Sequence, residues 1–231
     1  MIRNGYVQVT PARRGTIHPA DALEGYVRGL FPMGAGRDEN YYAWFTHIPR
    51  GVLPLSNLHI SRSLKKFLKK QPFGITSDQA FEQVIDCCAV GRNGDPDEET
   101  WISKPIRNLF LALHDMGFAH SVECWQDDHL VGGLYGLQIG GAFFGESMFS
   151  TTSNASKVAL VYLVGHLQHQ GFLLLDTQQT TEHTKSMGAV DESELDYLMN
   201  LQIAVTQDVQ WGRFLPRMPQ TSRTPPVLAV E

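Results

Sequence analysis

The sequence has few of the features that mark secreted, membrane or metal-binding proteins. Its 231 residues include only three cysteines, Cys87, Cys88 and Cys124, and none forms a Cys-x-x-Cys pair. An odd number of cysteines without that spacing argues against a disulfide framework or a zinc site and favours a reducing cytoplasm. No apolar run near the N-terminus resembles a signal peptide, and no segment is long enough to span a bilayer. We therefore expect a cytoplasmic protein that does not interact with membranes.

An excess of positive charge and several familiar motifs are also missing. The formal net charge of −5 argues against general binding to nucleic acids, but it allows a local basic patch. No Walker lysine follows a glycine-rich loop, and the string VGGLYG is not a dinucleotide fingerprint. His166 and His169 have neither an HExxH motif nor a carboxylate partner, so we expect no metal site. Ser147 lacks the second glycine of a nucleophile elbow, which disfavours a serine hydrolase.

The most informative stretch runs from Leu130 to His183. It predicts two strands joined by a tight turn at Gly140-Gly141, then a long apolar helix and a further strand. The helix has an N-cap candidate at Ser153 or Asn154 and a glycine, Gly171, just past its end. It is apolar on nearly every side, which indicates burial against a sheet. Its N-terminus suits an anion, although simple capping explains the string SNASK equally well.

Three polar side chains stand out on the strands that flank this helix. In the strand before it, period two places Glu146 on one face with Phe144 and Met148. A carboxylate in that position is costly to bury unless something pairs with it. The strand after the helix, FLLLDTQ, ends in Asp176 and Gln178, again on one face. Two carboxylates and an amide at a sheet edge suit proton handling and the positioning of an amine.

The two ends of the chain differ in composition from this central part. Residues 1 to about 60 are rich in Gly, Pro and aromatic residues and predict short strands and loops, with one strand at PRGVLPL. By composition, Trp44 in this part either fills a small core or forms the wall of a pocket. Residues 216–231 contain many Pro, Ser and Thr residues, so we expect a disordered tail.

A short basic helix is predicted at LHISRSLKKFLKKQPF. Ser61 can cap it, and Pro72 helps to end it. Its cations recur at i, i+3, i+4, i+7 and i+8, which places them on one helical face without an interleaved acid. They are Arg62, Lys65, Lys66, Lys69 and Lys70. The face is either a solvated helix surface or a track for phosphates, and the number of cations favours the track.

Several strings resemble the leucyl/phenylalanyl-tRNA–protein transferase family. From about Tyr26 to Leu198, in the family's order and spacing, they are FPMG, WF, HISRSL, TSDQAFEQVI, TWI, AHSVECW, LVGGLYG, FFGESMFS, NASKVAL and LLDTQ. The chain departs from the family pattern at Thr46-His47, Thr177 and Met187. None of these departures affects Glu146, Asp176 or Gln178.

The resemblance implies an α+β fold, with a small N-terminal domain over residues 1–60 and an acetyltransferase-like (GNAT-like) domain with a mixed sheet over residues 61–215. It implies transfer of Leu or Phe, and less well Met, from aminoacyl-tRNA to proteins that begin with Arg or Lys. The product would be an N-degron for bacterial proteolysis. We expect no cofactor, because the aminoacyl ester already stores the free energy that the transfer requires. We also expect the protein to be a monomer.

The resemblance also implies roles for particular residues. Asp176 would orient and polarise Gln178, which would contact the incoming amine, and Glu146 would hold that amine or the acceptor's cationic side chain. Whether any of them acts as a general base stays open. We expect replacement of Asp176 by Ala to reduce transfer while folding stays near normal. The apolar pocket for the amino acid and the terminal adenosine would consist of Trp44, Trp101, Leu134, Phe143, Met148 and Leu175.

Two other functions compete with this interpretation. An acyl-CoA-dependent N-acyltransferase of the same fold would require a glycine-rich turn for pyrophosphate, and STTSNASK contains no glycine. A non-catalytic RNA-binding module would explain the basic helix but not the polar trio at a strand end.

Overall fold

The computed structural model describes residues 2–3, 5–34, 36–90 and 100–219. Within them the chain forms two β-sheets flanked by helices. In chain order the elements are β1 (Ile2–Arg3), β2 (Tyr6–Gln8), β3 (Arg13–Arg14), α1 (Pro19–Val27), β4 (Phe31–Gly34), β5 (Tyr41–His47), β6 (Arg50–Val52), α2 (Arg62–Leu68), β7 (Gly74–Ser77), α3 (Phe81–Cys88), α4 (Lys104–Asp115), β8 (Ala119–Gln126), β9 (His129–Ile139), β10 (Ala142–Ser150), α5 (Ala155–Gln170), β11 (Leu174–Gln178), α6 (Glu182–Ser186), β12 (Val190–Glu192) and α7 (Glu194–Val205).

The smaller sheet is built around β5. Strand β2 pairs with the C-terminal part of β5, and β3 pairs with its N-terminal part. Strand β4 pairs with β5 on the other side, and β1 pairs with β2. Helix α1 packs beside this sheet. The expectation that this part of the chain would contain only short strands and loops is therefore wrong. Pro19 opens the helix, where a missing N–H is tolerated, while Ala22 and Tyr26 are fully buried.

The larger sheet has the strand order β12-β6-β11-β10-β9-β8-β7. Among the described strand pairs of this sheet only β10–β11 is parallel, so the sheet is mixed, as expected. The strand predicted at PRGVLPL is shorter than expected and covers Arg50–Val52. Pro49 and Pro54 flank it, and a proline has no N–H to donate to a ladder. Strand β6 joins the larger sheet although it lies within the first 60 residues, so the 1–60 domain boundary stays a prediction.

The β9–β10 hairpin turns at Gly140-Gly141, as predicted, and Gly140 has a φ of 55°. Strand β10 then carries a β-bulge between Gly145 and Ser147. The bulge makes part of the face prediction wrong, because the extra residue, Glu146, reverses the alternation that follows it. Phe144 therefore lies on the opposite face of the sheet from Met148.

Two hydrophobic clusters cover the two faces of the larger sheet. The α4 cluster contains Phe144 and Leu174 together with buried residues of α1, α3, α4 and α7. The α5 cluster contains Phe143 and Leu175 together with buried residues of α2 and α5. Consecutive residues of β10 and β11 thus face opposite clusters, as the pleat of a strand requires.

Helix α5 is buried on most sides, as its sequence predicted. The helix ends at Gly171, with a φ of 85°, and begins after Asn154, which has a φ of 68° and makes no side-chain capping bond. After α7 the chain has no helix or strand over residues 206–219, and residues 220–231 of the predicted tail lie outside the described part. Among the described helices, none is both long and apolar enough to cross a membrane.

Candidate active site

The candidate site lies where β10 and β11 stop pairing. Their parallel register ends at the pair Phe144–Asp176. Beyond that point β10 carries its bulge, and β11 ends at Gln178, which has a positive φ of 53°. Across the end of the pairing, Gln178 Nε2 donates to Glu146 Oε1 at 3.2 Å. Bulges and left-handed backbone in non-glycine residues are concentrated near functional sites.

Asp176 is paired from several directions. Arg50 donates to both carboxylate oxygens, through Nε at 3.0 and 3.1 Å and through Nη2 at 2.7 Å. The Tyr197 hydroxyl and the Gln178 backbone N–H each donate at 2.7 Å. Asp176 and Arg50 are 0% and 1% exposed. A carboxylate has about four acceptor positions, and these donors occupy most of them, so Asp176 is bonded within the protein and not to a substrate.

Arg50 is itself enclosed by protein groups. Its Nη1 donates to the Gly29 carbonyl at 2.9 Å, and its guanidinium carbon lies 4.9 Å from the Phe31 ring centre and 4.5 Å from that of Tyr197. Burial is the largest influence on the pKa of Arg50 and lowers it, but the charge and hydrogen bonds of Asp176, together with Tyr197 and Glu146, outweigh burial, so the pKa is raised. Removing one partner of such a buried pair leaves an uncompensated charge. The Arg50–Asp176 pair therefore links β6 to β11 next to the candidate site.

Glu146 lies in a different environment from Asp176. Its Oε1 accepts from the Tyr26 hydroxyl at 2.8 Å and from Gln178, while its Oε2 forms no hydrogen bond within the described part of the chain. Burial raises the pKa of Glu146 to about 8, and the hydrogen bond from Tyr26 opposes that shift only in part. The residue is partly exposed. Glu146 thus offers a free carboxyl oxygen whose charge changes near neutral pH.

The structure brings together the three predicted catalytic residues and adds three that sequence reasoning missed: Arg50, Tyr26 and Tyr197. The sequence did contain a clue to Arg50. A carboxylate buried in a strand requires a cationic partner, and Arg50 is the first residue of the short strand β6. The tyrosines gave no such signal. Tyr26 is 120 residues from Glu146, and Tyr197 lies on a helix 21 residues after Asp176.

The six apolar residues predicted to form a pocket belong to two groups. Leu134, Phe143, Met148 and Leu175 pack in the α5 cluster, and Trp44 and Trp101 pack in the α4 cluster. The first group lies on the face opposite Asp176, which shares the face of Leu174. The structure thus does not gather all six on one face, and their assignment to one pocket stays a prediction.

Comparison with known sequences identifies the family. A sequence profile described as leucyl/phenylalanyl-tRNA protein transferase matches residues 52–202, a range that includes Glu146, Asp176 and Gln178. The chain belongs to the leucyl/phenylalanyl-tRNA–protein transferase family. It is therefore an aminoacyltransferase, as its sequence predicted.

Curated relatives with this family name are similar over most of the chain. The protein of Rhodospirillum rubrum is 53% identical over 176 residues, which cover 76% of this chain and 82% of the relative. That of Zymomonas mobilis is 48% identical, covering 82% and 70%, and that of Paramagnetospirillum magneticum is 48% identical, covering 83% and 90%. Among solved structures, L-PGS from Bacillus licheniformis has a TM-score of 0.40 at 12% identity, covering 68% of this chain and 49% of its own. This similarity is too low to indicate a common fold.

In this member of the transferase family the basic helix forms close to where it was predicted. Ser61 caps α2 by accepting from the Leu64 N–H at 3.2 Å. Leu64 and Leu68 are buried in the α5 cluster. The five cations are all exposed, the last two just beyond the end of the helix, and none forms an ion pair with another described residue. Their charge is therefore available to a ligand.

The two histidines considered as metal ligands pack in other ways. His166 is buried against Trp211, with ring centres 4.4 Å apart, and burial lowers its pKa to about 4. Arg217 Nη1 lies 3.3 Å from Nδ1 of His169. No group of three His, Cys, Asp or Glu residues within the described ranges could hold a metal ion.

Proposed function

We propose that this transferase moves Leu or Phe, and less well Met, from aminoacyl-tRNA to the α-amine of proteins that begin with Arg or Lys. The observation that carries the proposal is the Glu146–Gln178 pair at the end of the β10–β11 pairing, held in place by the buried Arg50–Asp176 pair. The Gln178 amide and the partly exposed Glu146 carboxyl lie side by side. Together they could bind an acceptor that has both an α-amine and a cationic side chain.

The proposed reaction is an aminolysis. The acceptor amine attacks the ester carbonyl carbon, a carbon–nitrogen bond forms, and the carbon–oxygen bond to the tRNA ribose breaks. The amine loses a proton, and the leaving ribose oxygen gains one. Because the ester stores the free energy that the amide requires, the enzyme needs mainly to position the reactants and stabilise the oxyanion.

The contacts support separate roles for the three polar residues. Gln178 positions the amine, since an amide is a poor base. Asp176 acts through the Gln178 backbone N–H and thereby holds this residue at the strand end. Glu146 uses its free Oε2 to hold the amine or the acceptor's cationic side chain. A cation at that point would favour the charged form of Glu146.

We further propose that the donor approaches from the α5 face. Leu134, Phe143, Met148 and Leu175 would shape the space for the aminoacyl side chain, while Trp44 and Trp101, which pack in the α4 cluster, would contact the adenosine end. Helix α2 lies on the same face, and its cations would hold the tRNA backbone. Phosphate contacts of this kind position a nucleic acid without reading its sequence, which fits an enzyme that accepts several tRNAs.

The arrangement β10–α5–β11 supports an acetyltransferase-like fold for residues 61–215, because it combines a parallel pair, a helical crossover and a bulge beside the point where pairing ends. In our proposal residues 1–60 form a smaller domain that contributes Tyr26 and Arg50 to the site. The protein would act as a monomer in the cytoplasm, and its product would be an N-degron for bacterial proteolysis.

The test is to mix the purified protein with labelled Phe-tRNA and a peptide that begins with Arg. We expect label on this peptide and none on the same peptide with an acetylated N-terminus, which lacks the nucleophile. Labelled acetyl-CoA serves as a competing donor. Transfer from acetyl-CoA alone would indicate the N-acyltransferase function, and tRNA binding without any transfer would indicate an RNA-binding module.

A further inference from the structure

We infer that a groove at the β7–β8 edge of the larger sheet binds an unpaired nucleotide of the tRNA donor. The inference rests on the proposed function. The groove has a volume of about 560 Å³ and lies between the end of α2, the edge strand β7, its neighbour β8 and α5. Among the side chains that line it are Gln71, Phe73, Ile75, Trp125, Gln126 and Tyr162. Aromatic, aliphatic and amide groups together suit a nucleobase, which has an apolar face and a polar edge.

Trp125 provides a prearranged surface for stacking. Its indole Nε1 donates to Thr76 Oγ1 at 2.7 Å, which fixes the ring, and the residue stays partly exposed. Directly opposite Trp125 in the β7–β8 register lies Gly74, which has no side chain to fill the groove. A Cβ atom at Gly74 would lie 3.7 Å from the Trp125 Cβ, an ordinary contact. A larger residue at this position would therefore extend into the space beside Trp125.

The cations beside the groove, rather than the residues that line it, suit a nucleic-acid backbone. Gln71 follows directly after Lys69 and Lys70, two of the exposed cations of the basic helix. No acidic residue occurs between residues 56 and 77. Asp127 is a carboxylate among the lining residues, and carboxylates accept hydrogen bonds from exocyclic amines of bases. Cations beside a groove with an aromatic wall are how proteins hold the backbone and a base of a single strand.

The groove is too far from the active site to hold the reacting nucleotide. Trp125 and Glu146 are two strands apart and several residues apart along the strands, which corresponds to about 20 Å. A single nucleoside does not span that distance. The groove, helix α2 and four of the predicted pocket residues all contribute to the α5 side of the sheet. A tRNA whose 3′ end is in the active site could thus place another nucleotide in this groove.

The experiment alters the groove in two independent ways and measures the Kd of the protein for Phe-tRNA. Gly74→Val fills the space, Trp125→Leu removes the stacking surface, and Gly74→Ala is the matched control. We expect the first two changes to weaken binding about 5- to 150-fold, the range for one stacked base, and the control to bind normally. Trp125→Phe should restore most of the affinity. The salt slope of binding should not change in the groove variants, because stacking releases no counterions, whereas Lys69 and Lys70 replaced by Ala should lower it.

Transfer from aminoacyl-adenosine separates this inference from the proposed function. The groove variants should use that minimal donor as well as the parent protein does, since it does not reach the groove. A parent protein that transfers from neither donor would contradict the proposed function itself. Unchanged tRNA affinity in both Gly74→Val and Trp125→Leu would overturn the groove assignment. A higher KM for the acceptor peptide at normal tRNA affinity would also overturn it, because the groove would then hold the acceptor chain.

Discussion

The candidate active site and helix α2 both contain several charged residues, but these are buried and paired in the site and exposed on the helix. Arg50 and Asp176 are removed from water and bonded to each other and to neighbouring groups. The cations of α2 are exposed and form no ion pair within the described residues. Charges satisfied inside the protein hold backbone and side chains in place, whereas unpaired surface charges remain available to a ligand. Glu146 lies between these extremes, with one oxygen bonded and the other without a hydrogen-bond donor among the described residues.

The largest effect on stability is expected at the buried pair. Asp176→Ala would leave the Arg50 guanidinium buried without its partner, so the free energy of unfolding should fall by about 3–5 kcal/mol. This reverses the expectation from sequence that folding stays near normal. Urea denaturation measures the effect.

A matched double variant separates stability from catalysis. Arg50→Met combined with Asp176→Leu removes both charges and should recover much of the stability. We still expect this protein to transfer poorly, because Gln178 has lost the acceptor of its backbone N–H. Normal transfer by the double variant would show that the pair serves stability alone.

The second prediction concerns Glu146 and the acceptor. Glu146→Gln keeps the shape but cannot ionise beside the acceptor's cation, so binding of Arg- and Lys-initiated peptides should weaken by about 1.5–3 kcal/mol, the range for a hydrogen bond to a charged group. Steady-state kinetics should show a decrease in kcat/KM with little change in folding. Equal values for the variant and the parent would contradict the acceptor role of Glu146.

The third prediction uses pH. Burial raises the pKa of Glu146 from its ordinary value of 4.5 to about 8, so the protonated form favours the folded state. This contribution is complete below about pH 4.5 and is lost as the pH rises through 8. The unfolding free energy of the parent relative to Glu146→Gln should fall across this window. The slope should be at most about 1.4 kcal/mol per pH unit, and less where water reaches the carboxyl. A constant difference would rule out the shifted pKa.

The fourth prediction tests the support behind Glu146. Tyr26→Phe removes the 2.8 Å hydrogen bond to Oε1 and should cost about 0.5–1.5 kcal/mol of stability. Because that bond lowers the pKa of Glu146, the pH midpoint of the previous experiment should move upward. Tyr6→Phe is the matched control, since the Tyr6 hydroxyl forms no hydrogen bond to Glu146 in the described structure. The same shift in both variants would contradict a specific role for Tyr26.

The smallest effect on stability is expected on α2. Replacing Lys65 and Lys66 by Ala should change the unfolding free energy by no more than about 0.5 kcal/mol, because both side chains are exposed. The slope of log K against log salt for tRNA binding should nevertheless decrease by about 1.5. Transfer from aminoacyl-adenosine should be unaffected. Unchanged tRNA binding would mean that this helix is only a solvated face.

Local sequence patterns predicted the elements around the site well where the pattern concerned consecutive residues. The turn at Gly140-Gly141 and the burial of α5 follow from backbone freedom and apolar composition, and both are present in the structure. The prediction that Phe144, Glu146 and Met148 share one face of β10 failed between Phe144 and Met148. A bulge between Gly145 and Ser147 shifts every later residue by one position, and sequence periodicity carries no signal for an inserted residue.

The amino-acid sequence by itself determined the family, the mixed α+β class, the basic helix and the three polar candidates Glu146, Asp176 and Gln178, since each depends on residue type and local spacing. Only the tertiary structure decided which groups those polar residues contact. Tyr26, Arg50 and Tyr197 come from distant parts of the chain and meet Glu146 and Asp176 through the packing of α1 and α7 and the pairing of β6 with β11. That packing encloses Asp176 among hydrogen-bond donors and raises the pKa of Glu146, because burial and partner geometry, which no local pattern encodes, govern the behaviour of a carboxyl group.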